Sequence, residues 1–290
     1  MRISGVSWAW ELIRTGKTNY LFADAWMRLY KLIQEWIFFL HFRAFGKLSV
    51  PVDHVIRLDT KHTVAFESPD HLIPWGTSRD NSTNKKFVTV MRERIDREFP
   101  DTTLGALDLG CSGGQLVADF RSLGWVTVGL EGSDFSLKHG RANWPALAGK
   151  NLFTCDVTKP FKITVNGEPA KFHLITMWEV LEHIPTQDLP QLFDNIVTHL
   201  ANDGYFIAST TSAPDIHNGI DLHQTKWTND QWRRWLSEVH PELKTVDLNL
   251  KYYQFVRHNE ERSFLTYKKA NGPGFLGPQT DKVSLGDSRR

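Results

Sequence analysis

Cysteine is scarce in this chain: Cys111 and Cys155 are the only two in 290 residues. Two thiols cannot build a disulfide framework or a four-cysteine zinc site, and such a chain suits a reducing compartment. A cytoplasmic setting is therefore expected. Charge of one sign is missing too, since 34 basic and 33 acidic residues leave a formal net charge of +1. No general field pulls the protein toward polyanions and no basic patch stands out, so nucleic acid is not expected as a partner. Long apolar runs are also absent. The run Trp36 to Leu40 falls far short of the roughly 20 residues that cross a bilayer. The first residues show no clean apolar signal segment before Glu11 and Arg14. What is present suffices for a core, with 41% of residues hydrophobic.

The stretch from 24 to 45 is amphipathic. Trp26, Leu29, Tyr30, Ile33, Ile37, Leu40 and Ala44 recur at helical spacing, while Arg28, Lys31, Gln34 and Glu35 lie elsewhere. Such a helix either docks on its own core or lies on a partner or a membrane surface. Residues 1–84 are thus expected to form a helical N-terminal extension and an ordered loop, with 24–45 as the candidate peripheral membrane contact. Ser68 to Asn81 carries two prolines, a glycine and several small polar side chains, which argue against helix, while Ile73 and Trp75 argue against free disorder. This loop is either a lid bringing Arg79 or Asn81 to a ligand carboxylate, or a linker.

From Lys85 the pattern becomes that of an α/β domain, expected to occupy residues 85–269 and to be followed by a mobile tail over 270–290. Phe87, Val90, Met91, Ile95 and Phe99 make a helical face. Leu104 to Leu109 is an apolar run containing one acid, and the turn Gly110-Cys111-Ser112-Gly113-Gly114 opens into a helix from Gln115 to Leu123. Strand, tight turn and helix make a nucleotide pocket at the carboxyl end of a parallel sheet. Trp125 to Leu130 is a second strand ending at Glu131, about 20 residues beyond Gly110, where a carboxylate can accept both hydroxyls of a ribose. Asn151 to Cys155 is a third strand. It ends at Asp156, which can accept from an exocyclic amine while the Val157 backbone holds the ring. Asn166-Gly167 predicts a small inserted hairpin. Phe172 to Met177 is the fourth strand, Pro190 to Leu200 a helix and Tyr205 to Thr210 the fifth strand. The loop Pro214 to Trp227 carries His217 and His223. Thr228-x-x-Gln231 is a capping box for a helix through His240 that buries Trp232, Trp235, Leu236 and Val239, with closing strands at Leu243 to Leu250 and Phe264 to Lys269.

Asp108-Leu109-Gly110-Cys111-Ser112-Gly113-Gly114, Glu131-Gly132-Ser133, Asp156-Val157 and the block Leu174 to Ile184 resemble, in order and spacing, the signature regions of class I S-adenosylmethionine-dependent methyltransferases. The resemblance implies a Rossmann-like, seven-stranded, mostly parallel sheet with helices on both faces. It also implies S-adenosylmethionine as cofactor. The binding set is then Asp108, Gly110, Ser112 and Gly114 at the turn, Glu131, Gly132 and Ser133 after strand two, Asp156 and Val157 after strand three, and Trp178 after strand four. Ser112 stands where the family often has its middle glycine, and is tolerable there if its φ stays negative. Nicotinamide-dependent oxidoreductases share the sheet and the ribose acid, but their G-x-G-x-x-G spacing is replaced here by Gly110, Gly113 and Gly114. A catalytically silent module on the same fold is the third reading.

The acceptor is the open question. Met177-Trp178-Glu179-Val180 replaces the Asn-Pro-Pro-Tyr type motif of base-amine methyltransferases, and no Pro-Cys pair offers a nucleophile for a pyrimidine carbon. Glu179, Glu182 and His183 share one face if the segment starts a helix. The trio could hold a divalent ion, serve the helix dipole, or let His183 act as general base toward a hydroxyl. The block resembles that of quinone-pathway and sugar O-methyltransferases. We assign no metal and expect His183, Glu179 and His223 as catalytic candidates, acting on a small-molecule or glycan hydroxyl. If residues 24–45 bind membranes, the full chain floats with lipid vesicles and a chain lacking residues 1–48 does not. Equal flotation of both would remove this segment as the contact.

Overall fold

The computed structural model describes residues 53–251, 254–257 and 263–270, together with Ile33, Trp36 and Leu40. The remainder of the 24–45 segment and the tail over 271–290 lie outside the described residues. Ile33, Trp36 and Leu40 are helical, and 46%, 69% and 44% exposed respectively. Among the described residues no helix is long and apolar enough to cross a membrane.

The body is organised by β2 (Gly105–Leu109), all five residues of which are buried. A strand covered on both faces needs a continuous apolar run, and this one breaks the run only with Asp108. It pairs in parallel with β3 (Val126–Glu131) on one side and β7 (Phe172–Trp178) on the other. Beyond β3 lies β4 (Leu152–Thr154), parallel. Beyond β7 lies β8 (Leu200–Thr210), also parallel. Two antiparallel pairings then add β12 (Ser263–Lys269) and, at the edge, β11 (Leu243–Thr245). The order β11-β12-β8-β7-β2-β3-β4 is the expected seven-stranded, mostly parallel sheet. The chain leaves β2 toward β3 and β4, then returns and grows outward from β7, so the strand order reverses between β2 and β7. Ligands bind at such a reversal in open α/β sheets.

Side-chain alternation sends successive residues to opposite faces. Ala106 and Leu174 point into a cluster with Phe87, Met91 and Ile95 of α1 (Lys85–Glu98) and Leu116 and Phe120 of α2 (Gln115–Arg121). Leu107, Leu109, Ile175 and Met177 point into the other cluster, with Leu192, Phe193 and Ile196 of α3 (Leu189–His199) and Trp232 and Leu236 of α4 (Asn229–Val239). The Thr228–Gln231 capping box forms. Helix α4 stops at Val239, with His240 as C-cap donating its N–H to Leu236 O, and of the four residues expected inward Trp232 and Leu236 are buried, Trp235 is partly buried and Val239 is 41% exposed. The strand expected over Leu243 to Leu250 ends at Thr245.

A second sheet was only half expected. The Asn166-Gly167 hairpin joins β5 (Phe161–Val165) to β6 (Glu168–Pro169), with both turn residues at positive φ. Its partner β1 (Ile56–Thr60) comes from the segment read as irregular, pairing antiparallel with β5 from Ile56–Val165 to Thr60–Phe161. The loop read as non-helical contains one helical turn, Pro69–Leu72, because proline is accommodated in a first helical turn.

Candidate active site

A cavity of about 890 Å³ opens over the carboxyl ends of the parallel strands. Its floor is the turn after β2. Glu131, at the end of β3, is 6% exposed and accepts from Ser112 N at 2.7 Å and from Ser133 N at 3.1 Å. Burial pushes its carboxyl up to about 7, against the two amides that favour the charged form. Gly110 N donates to Leu130 O at 2.7 Å, which completes the clamp between turn and strand. Ser112 sits at φ +45°, so the expectation of a negative φ fails. The left-handed backbone is held by three contacts: Ser112 N on Glu131, Ser112 Oγ donating to Asp80 O at 2.9 Å, and Trp144 Nε1 donating to Ser112 O at 2.7 Å. Gly110 lies at φ +77°, and a Cβ there would collide with Val180 Cγ2.

The loop from 66 to 81 covers this turn, but not as a carrier of Arg79 or Asn81. Arg79 stacks 3.2 Å over the Trp75 ring. Asn81 Oδ1 accepts from Gln115 N at 3.0 Å, capping α2 in place of Gly114, the N-cap residue, which has no side chain. Asp70, Trp75 and Asp80 of this loop line the cavity instead, Asp80 paired with Arg257 and accepting through its carbonyl from Arg141. Trp75 reaches across to His217 with ring centroids 4.8 Å apart.

Of the cofactor residues expected from sequence, Gly110, Ser112, Glu131, Gly132, Ser133, Asp156, Val157 and Trp178 line the cavity, and Asp108 and Gly114 do not. Asp108 accepts from Thr176 Oγ1 on β7 at 2.7 Å, and burial lifts its carboxyl to about 7. Asp156 Oδ1 accepts from Thr158 N and Oγ1, and the Val157 carbonyl accepts from Asn195 Nδ2 at 2.9 Å. The Trp178 indole N–H is buried with no acceptor among the described residues.

The acidic block after β7 departs from a helix. Glu179 takes φ +57°, its N–H donates to Ser209 Oγ and its Oε1 accepts from Ser209 Oγ at 2.6 Å. The chain then makes a single 3-10 turn, Leu181–His183. Glu179, Glu182 and His183 therefore do not share a helical face. Instead Glu182 and His183 meet His223, and one ligand-type atom from each lies within 4.8 Å of the others. The backbone carbonyl of Glu182 accepts from Gln224 N and Thr225 N, while Thr225 Oγ1 donates to Ile184 O at 2.6 Å. These bonds bring the loop after β8 onto the turn after β7. The His183 and His223 rings stand edge to face at 4.7 Å. Burial alone would lower the His183 pKa, but Asp70, whose Oδ2 is 2.9 Å from Nδ1, and Glu182 more than offset it, so the net direction is up. His223 moves down, through burial and the neighbouring His183. Burial raises Glu182 to about 7. Asp70 is a site residue that sequence reading missed, since only the folding of the 66–81 loop over the cavity brings it to His183.

Residues 84–254, more than half of the chain, match the family model described as a methyltransferase domain. The chain belongs to this methyltransferase family. Among curated methyltransferases it is similar to the ubiquinone biosynthesis O-methyltransferase of Glaesserella parasuis serovar 5, with 30% identity over 108 residues covering 36% of this chain and 44% of that protein. It is also similar to the ubiquinone biosynthesis O-methyltransferase of Bartonella tribocorum, with 26% identity over 148 residues covering 45% and 58%. The chain thus spans about half the length of the curated relatives it matches. Among solved structures it resembles an S-adenosylmethionine-dependent methyltransferase from Clostridium acetobutylicum at TM-score 0.45 and 16% identity, over 70% of this chain and 96% of that one. It also resembles the magnesium protoporphyrin IX methyltransferase of Synechocystis at TM-score 0.43 and 14% identity, over 71% and 97%.

The turn geometry of this methyltransferase is directly testable. Gly110→Ala adds left-handed strain and the Val180 collision, so it should lower stability in urea by about 2–4 kcal/mol. Adding Val180→Ala should restore the collision part alone. A Gly110→Ala protein as stable as its parent would contradict this geometry.

Proposed function

We propose that this methyltransferase transfers a methyl group from S-adenosylmethionine to a hydroxyl oxygen of a small-molecule, glycan or lipid-linked acceptor. The observation that carries the reading is the polarity of one cavity: Glu131, with both oxygens anchored on backbone amides, and the His183–His223 pair both line it.

The residues present fit the cofactor. A carboxylate oxygen has two lone pairs, so each Glu131 oxygen holds one amide and keeps capacity for a ribose hydroxyl. Trp178 lines the cavity, and its N–H, which has no acceptor among the described residues, is a donor for the carboxylate end. When bound, the sulfonium supplies an electrophilic methyl carbon, whose bond to sulfur breaks with its electron pair staying on sulfur as the acceptor oxygen forms the new bond. The protein's own work is alignment and charge. The 66–81 loop, Trp75 included, forms one wall of the cavity. The hydroxyl proton is drawn off at the Glu182, His183 and His223 corner, where Asp70 orients the His183 ring. The names of the curated relatives support oxygen as the methylated atom.

Two measurements test the two ends. Glu131→Ala should weaken S-adenosylmethionine binding at least tenfold in calorimetry, as expected for loss of charge-assisted hydrogen bonds of about 1.5–3 kcal/mol each. Unaltered affinity in a variant with an unchanged melting curve would sink the ribose assignment. His183→Ala should cut the transfer rate from labelled cofactor to hydroxyl acceptors by about 10²–10⁴-fold, while cofactor affinity stays within about twofold of the parent. A normal rate would remove His183 from the reaction.

A further inference from the structure

We infer that Glu182, His183 and His223 form a binding site for one divalent first-row cation of the zinc class, open to the cavity. Four observations converge on it. The first is proximity: one donor atom from each residue lies within 4.8 Å of the other two. Donors around a tetrahedral zinc, at about 2.0–2.1 Å from the metal, are a little over 3 Å apart, so modest side-chain rotation closes the set.

The second is an orphan. Glu182 is 0% exposed, and among the described residues neither its carboxylate oxygens nor the Thr210 hydroxyl beside them has a hydrogen bond of good geometry, the other nearby donor being Glu182's own backbone amide. A buried carboxylate so poorly partnered is costly unless a proton or a cation neutralises it.

The third is the direction of the two rings. His183 presents Nδ1 to Asp70 Oδ2 at 2.9 Å, and His223 presents Nδ1 to the Ala213 carbonyl. Each ring therefore has a nitrogen against an oxygen, and the Leu222 carbonyl also lies beside the His183 ring. This is the outer-shell pattern that orients metal-ligating histidines. Two imidazoles and one carboxylate also form a donor set suited to zinc, iron, cobalt or nickel rather than calcium.

The fourth is rigidity and access. The loop carrying His223 is pinned to the turn carrying Glu182 by Gln224 N and Thr225 N on the Glu182 carbonyl and by Thr225 Oγ1 on Ile184 O. His183 and His223 line the cavity, while Glu182 is not among its lining residues. Three protein donors with one side facing a substrate cavity is the arrangement of a catalytic rather than a structural zinc site. A cation there places positive charge beside the acceptor hydroxyl and lowers its pKa, taking over the task that the metal-free corner gives to His183, whose binding nitrogen it occupies. That consequence rests on the proposed hydroxyl-methylating function, whereas the binding itself does not.

The experiment uses the full chain stripped with a chelator, titrated with zinc in calorimetry and with cobalt followed by visible absorption. The expected result is one equivalent bound by the parent, with affinity lowered at least tenfold in Glu182→Gln and in His223→Ala, and about 10–100-fold in Asp70→Asn through loss of the orienting carboxylate. Melting curves of the metal-free variants and their S-adenosylmethionine affinity report folding separately. No stoichiometric binding by the parent, or equal binding by a folded His223→Ala, overturns the site. Stoichiometric binding that needs these residues sustains it. If the loaded protein then methylates no hydroxyl acceptor, the oxygen-methylating reading fails and the metal site stands.

Discussion

A single buried carboxylate holds the cavity together. Glu131 ends one parallel strand and takes one amide from the turn that follows the next strand over and another from its own continuation. Neither amide belongs to regular secondary structure, so without this acceptor both would be unpaired beneath a cavity floor. The same bond explains a residue otherwise out of place, since Ser112 stays in the left-handed region only because Glu131, Asp80 and Trp144 fix it on three sides. Strain of this kind persists where the surroundings over-determine it, and such places are commonly functional.

Around that anchor the sheet arranges two neighbouring strand ends with different duties. The turn after β2 and the turn after β7 face one another where the strand order reverses. The first is closed by backbone amides and small residues, which suits a bound nucleoside. The second turns sharply at Glu179 and offers buried titratable side chains. Covering both, the 66–81 loop contributes Asp80 to the first and Asp70 to the second. One segment thus touches both turns at once.

The sheet was legible because its parallel strands, covered on both faces, must be written as unbroken apolar runs, and because Glu131 and Asp156 fall where such runs end. The capping box at Thr228 and the hairpin at Asn166-Gly167 were readable for a similar reason: their residues act on neighbours a few positions away. What escaped was set by distant partners. Nothing near Ile56 announces a pairing with Val165. The left-handed turn at Glu179 follows from Ser209, thirty residues away on the next strand. Asn81 looked available to a ligand, yet it caps a helix that begins at Gln115. The meeting of His183 with His223 was hidden most deeply, since it depends on backbone bonds between two loops that follow different strands.

The small sheet gives the covering segment a mechanical character. β1 is stitched to β5 just before the segment begins, and α1, capped by Asn84, starts just after it ends. It is a strap buckled at both ends rather than a flap on one hinge. Peeling it from the cavity breaks the Trp75–His217 and Asp70–His183 contacts, together with the Asp80 bonds to Ser112 and Arg257, but leaves both buckles fastened. The entropy surrendered on re-closing is then that of a short tethered loop, which grows only with the logarithm of its length. A strap held in this way could lift without altering the register of the sheet beneath it.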